Sequence, residues 1–188
     1  ALPKGTKIKY DDRIYRVTKT EGFLTTYRSI TGNKLSYLHA YALFGEYAEN
    51  LHVSAGGVIG YAIDSENRKK LEAFWPLETG KKARYVLQEE ESNLYEVDTW
   101  TISLEVLKAE VISLNGKKYQ SYVIEERGLA KSGKSYVGRK WHHPPSGIVI
   151  KATRKWLKAF DIQQGGSASV ATNFAEGEED NYTLVSAR

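Results

Sequence analysis

The chain has 188 residues, a net charge of +4 and neither cysteine nor methionine. That length suits one domain, and a domain of this size buries about 70% of the surface its unfolded form exposes, so no disulfide staple is required. Thiol nucleophiles, cysteine-ligated metals and redox disulfides are excluded. No apolar run approaches the roughly 18 residues of a spanning helix, so a soluble chain is expected.

The opening Ala1-Leu2-Pro3-Lys4-Gly5 fits a mature end left by signal peptidase and equally a chain trimmed by design. The 13 tyrosines and 4 tryptophans suit a pleated, half-buried surface. In chain order, Thr6 to Tyr10 and Arg13 to Thr18 alternate around Asp11-Asp12, which reads as a hairpin. Phe23 to Ile30 follows as a strand, and Thr31-Gly32-Asn33-Lys34 supplies turn chemistry. Residues 35 to 44 are apolar on both faces, as in a central strand. Ala55-Gly56-Gly57 reads as the next turn, before a strand from Val58 to Ile63.

Residues 64 to 74 are charged and rich in helix formers behind Asp64 and Ser65, which predicts a short helical turn or ordered loop. Trp75-Pro76-Leu77 ends it, because proline lacks a donor and disfavours helix before it. Lys81 to Glu90 and Leu94 to Val106 read as two strands joined at Ser92-Asn93. Trp100, Ile102, Leu104 and Val106 form one apolar face of the second, wet near its start at Glu96 and Asp98. Ala109 to Leu114 and Lys117 to Arg127 flank Asn115-Gly116, the pair favoured in a type I′ hairpin turn. Tyr136 to His142 and Ile148 to Ile150 continue as strands, while 151 to 162 fit either strand or helix. Residues 163 to 180 read as a mobile loop, and Tyr182 to Ser186 as a last strand.

About ten to twelve strands with at most one or two short helices predict a single all-β domain over residues 1–188. It is an antiparallel barrel, sandwich or strongly curved sheet around one core, with Trp75, Trp100 and Trp141 among its anchors.

Charge is unevenly spread. Between 117 and 158 eleven Lys and Arg face only Glu125 and Glu126, a net +9, whereas 61 to 116 and the last 30 residues each carry −4. Such a field attracts anionic phosphate, lipid head groups or polysaccharide, or it simply solvates exposed strand faces. Arg139, Lys140, Trp141, His142 and Lys151 are the candidate ligand-binding residues within it. No pattern for nucleic-acid recognition accompanies the charge.

Gly128-Leu129-Ala130-Lys131-Ser132-Gly133-Lys134-Ser135 matches the phosphate-binding P-loop letter for letter. That loop needs a helix after it, whose N-terminus completes the phosphate cradle. Here Tyr136 to Trp141 alternates and runs into Pro144-Pro145, so a hairpin loop is expected instead. His142 and His143 would point to opposite strand faces, which disfavours chelation. No metal or cofactor is expected. Carboxylates such as Glu96 with Asp98, Glu105 or Glu110 could do acid–base work, although solvated charge is the default.

Three stretches carry a family resemblance. Trp75-Pro76-Leu77-Glu78-Thr79-Gly80-Lys81-Lys82 contains a "Pro-Leu, two residues, Gly-Lys" strand start. Glu110-Val111-Ile112, followed by Asn115-Gly116-Lys117-Lys118-Tyr119, gives a "Glu-x-Val" strand and a Gly turn before an aromatic. Trp141-His142-His143-Pro144-Pro145-Ser146-Gly147 leads into the strand at Ile148. Together they resemble a family of uncharacterised exported bacterial envelope β proteins with a Trp-Tyr-x-Pro-x-x-Gly turn. The match covers about 70 to 155, with 182 to 186 as a matching last strand. His142 stands where the family has Tyr, and the match is loose before 60. The resemblance implies an antiparallel β fold and a periplasmic or cell-envelope location; it brings no catalytic residues.

The reading favours a non-enzymatic β scaffold that binds an anionic or amphiphilic ligand or a protein partner. Its expected partners are an anionic lipid, a glycan or an envelope protein, with membrane-surface contact included and no transmembrane segment. The alternative is a hydrolase acting on envelope polymers through a carboxylate pair.

Overall fold

The computed structural model describes residues 2–10, 13–21, 24–30, 36–41, 47–54, 57–91, 96–157 and 179–187. Within them the strands are β1 (Lys7–Tyr10), β2 (Arg13–Glu21), β3 (Leu24–Ser29), β4 (Ser36–Tyr41), β5 (Tyr47–Ser54) and β6 (Gly57–Ala62). The helix α1 (Ser65–Glu72) follows. Then come β7 (Lys82–Glu91), β8 (Glu96–Leu114), β9 (Lys117–Ala130), β10 (Ser135–His143), β11 (Ile148–Leu157) and β12 (Glu179–Ala187). Every strand pairs antiparallel with its sequence neighbours, and β1 pairs with β12, so the pairings close into a barrel. The all-β expectation holds, and of its three forms the barrel is the one adopted.

Local chemistry explains the joints. Asn115 and Gly116 have φ of 49° and 75°, the two positive values that a type I′ turn requires. Asp64 caps α1 by accepting the Asn67 backbone N–H at 2.8 Å. Asn67 is itself buried, and its side-chain oxygen accepts the Val86 N–H at 2.9 Å, tying the helix to β7.

Several expectations change or are completed. Leu94 to Val106 and Ala109 to Leu114 belong to one 19-residue strand, β8. A bulge between Val106 and Lys108 keeps its ladder with β9 continuous while moving later side chains to the other face. The ambiguous stretch after Ile150 is strand through Leu157, pinned by its register with β10. Ala152 and Trp156 share a face under either period, which is why periodicity alone could not decide. β5 has no counterpart in the sequence reading. The turn residues 11–12, 31–34, 55–56 and 92–93, the segment 158–162 and most of the loop 163–180 lie outside the described residues.

Among the described residues there are two cores where one was expected. The first gathers Ile63, Leu71, Phe74 and Leu77 from α1 and its flanks with Tyr85, Leu87, Trp100, Ile102, Leu104, Val106, Ile124 and Tyr136. Trp75 packs against it. The second joins Ile8, Val17, Ile148, Ile150 and Leu184, with Trp141 and the tip of the β8–β9 hairpin packed on it. Because β9 and β10 pair without a shift, Val123 and Trp141 lie on the face opposite Ile124 and Tyr136. The two cores therefore sit on opposite faces of the same strands.

Candidate functional site

The face that carries Trp141 is open at its other end, where β7 to β11 present three cross-strand rows. Register places Arg84, Ser103, Arg127, Val137 and Lys155 in one row. Two residues along one direction lie Val86, Thr101, Leu129, Ser135 and Leu157. Two residues along the other lie Lys82, Glu105, Glu125, Arg139 and Thr153. Lys82, Arg84, Ser103, Glu105, Glu125 and Arg127 line a cleft of about 460 Å³ here.

Glu125 is the hub of the acidic row. It accepts from Arg127 Nε at 2.9 Å and Nη2 at 2.7 Å, and Arg139 Nη2 lies at 3.6 Å. Glu105 stands opposite Glu125 in register and pairs with Lys82 at 3.3 Å. Glu105 and Glu125 are one carboxylate pair in register, and each already has its cation, an arrangement that balances charge. Glu89, which takes the Trp100 indole N–H, stands opposite Asp98 as another pair.

Of the other carboxylates considered from sequence, Asp98 and Glu110 have structural partners of their own. Asp98 accepts the Ser132 backbone N–H and hydroxyl, holding the turn at 131–134. Glu110 takes the Trp141 indole N–H and pairs with Lys108 at 2.6 Å. Those two hydrogen bonds, Lys108 first, hold its carboxyl below the usual range. The side chain of Glu96 lies outside the described residues.

The five residues singled out from sequence divide between two faces. Arg139, Trp141 and Lys151 lie on the cleft side, Arg139 beside Glu125 and Lys151 Nζ 4.9 Å above the Trp141 ring. Lys140 and His142 point to the opposite face and are buried. Lys140 pairs there with Glu126, which also receives the Tyr136 hydroxyl and has Arg154 at 3.2 Å. Burial pushes Glu126 up, but the Lys140 ammonium and Arg154 guanidinium more than offset it and hold it at about 2. His142 is wholly buried, and burial, with His143 and Lys140 nearby, lowers it to about 3. His143, on the other face, contacts Ser146 Oγ at 2.7 Å.

The sequence reading missed Lys82 and Arg84, which sit in a segment of net negative charge. Only register sets them beside Arg127. The alternation of β7 and its hairpin with β8 were the signals available.

The P-loop match is a hairpin. β9 runs to Ala130, Gly133 turns with φ of 93°, and β10 starts at Ser135. A strand follows the motif where a helix would be required.

No protein-family model matches the sequence, and no curated protein matches it. In three dimensions the chain is similar to the crystal structure of the hypothetical lipoprotein YmcC from Escherichia coli K12, with a TM-score of 0.57 and 12% identity. The likeness covers 98% of this chain and 85% of that one, and at such identity it is a likeness of fold.

Proposed function

We propose that this chain is a non-enzymatic protein of the bacterial envelope that binds an anionic ligand on the open face of β7 to β11. The observation that carries the reading is the cation row, in which Arg84, Arg127 and Lys155 share one line with no carboxylate between them from β7 to β11. Arginine forks match carboxylate and phosphate oxygens, and a concave wall concentrates their field. Support for the envelope comes from the fold neighbour, named a lipoprotein, and from the turn and strand-start motifs that resemble exported β proteins.

Binding of dextran sulfate against uncharged dextran, at low and high salt, tests the reading. The native protein should bind the sulfated polymer alone, and added salt should weaken it. Replacing Arg84 and Lys155, both exposed, by Gln should cost about ten-fold or more, at about 1 kcal/mol per cation near an anionic surface. Equal binding of both dextrans, or none at low salt, would remove the proposal.

A further inference from the structure

We infer that the cation row and the apolar row beside it form one site for an anionic lipid or a related single-chain amphiphile. The inference rests on the anionic-ligand reading and narrows it. Neighbouring strands lie about 4.8 Å apart, so cations on alternate strands recur about every 10 Å. The apolar row sits two residues further along each strand, about 7 Å away. In it Leu129 is 57% and Leu157 41% exposed. Exposed leucines two strands apart, beside a line of cations, match a molecule with one charged end and one apolar end. A hydrophilic polyanion would use the cations and leave the leucines in water.

The polar groups have a place in the same arrangement. Arg127 is braced by two hydrogen bonds to Glu125, which orients its guanidinium before any ligand arrives. Ser103 stands in register between Arg84 and Arg127, and Thr101 and Ser135 flank Leu129. A head group on Arg127 and Ser103 would direct its chain over Leu129 toward the turn at 131–134, where Lys131 is exposed. The cation row ends in register at Glu179 of β12, which bounds it on that side.

Alkyl phosphates of increasing chain length, below their micelle concentrations, are the probe, with inorganic phosphate and dextran sulfate as comparisons. Calorimetry on the native protein should show affinity rising about two- to four-fold per methylene, the worth of a partly to fully buried CH₂. The double variant Leu129→Ser and Leu157→Ser should flatten that rise while binding dextran sulfate like the native protein. Leu129→Thr, which suits a strand, is a second variant should the first fold poorly. Affinity independent of chain length, or a rise undiminished in folded leucine variants, overturns the lipid assignment alone if dextran sulfate still binds. Loss of dextran sulfate binding by the native protein overturns both readings.

Discussion

His142 is fully buried as a neutral ring between Tyr122 and Val149 in register, with its folded pKa lowered from 6.5 to about 3. The unfolded chain takes up a proton near 6.5, and the native state resists it until about 3. Between those values the unfolded state binds more protons, so stability falls as pH falls. The slope approaches about 1.4 kcal/mol per pH unit for one such group. Glu126 follows the same sign lower down, losing its contribution as pH falls from 4.5 towards about 2. The two windows overlap only below 4.5, so the range from pH 7 to pH 5 reports His142. Urea midpoints from pH 7 to pH 5 should drop in the native protein and stay flatter in His142→Leu. Parallel slopes in the two proteins would mean that His142 titrates normally, against its burial.

Gly128 shows what an element asks of a residue. It pairs directly with Tyr136, and a Cβ added there would stand 2.2 Å from Tyr136 Cε1 and 2.5 Å from Cζ. The ring cannot retreat, because its hydroxyl donates to Glu126, its centroid lies 5.7 and 5.4 Å from those of Trp100 and Trp156, and Arg154 sits over it at 4.4 Å. Gly128→Ala should therefore cost about 1–3 kcal/mol by overpacking, and much less in a Tyr136→Ala background, read from the two denaturation midpoints. An equal cost in both backgrounds would place the strain elsewhere. The same pairing explains the decoy motif, since its first glycine serves a tyrosine ring and its second a positive-φ turn. Alternation made legible that the motif sits in a hairpin and not before a helix, as it did the Asn115-Gly116 hairpin and the apolar face of Trp100, Ile102, Leu104 and Val106. It did not show that β9 runs on to Ala130 or that Gly128 faces Tyr136. The bulge after Val106 was not legible, because an extra residue leaves no mark on composition. Nor was the approach of Arg84 to Arg127, which depends on registers across two ladders. Trp141 was rightly read as an anchor but assigned to a single core, since periodicity says which residues share a face and not what covers it.

Across the whole molecule, the barrel closes through the chain ends, with Ile8 opposite Ala187 and Tyr10 opposite Leu184. The tie is reinforced from two sides: Tyr10 donates its hydroxyl to the Val149 carbonyl at 2.9 Å, and Asn115 Nδ2 donates to the Val185 carbonyl at 2.9 Å. Strands β8 to β11 contribute side chains to both cores, one on each face. Neither core can melt without freeing strands that carry the other, so they should unfold as one cooperative unit. Leu184 is 2% exposed in the second core, and its replacement by Ala should cost about 2–5 kcal/mol. In a Trp141→Phe background the three remaining tryptophans, 75, 100 and 156, all belong to the first core. Their fluorescence should then report the Leu184→Ala loss in full, at the same denaturant midpoint as far-ultraviolet circular dichroism. A tryptophan transition left in place while the dichroism midpoint moves would show two independent cores, and closure through β1 and β12 would then lend the first core nothing.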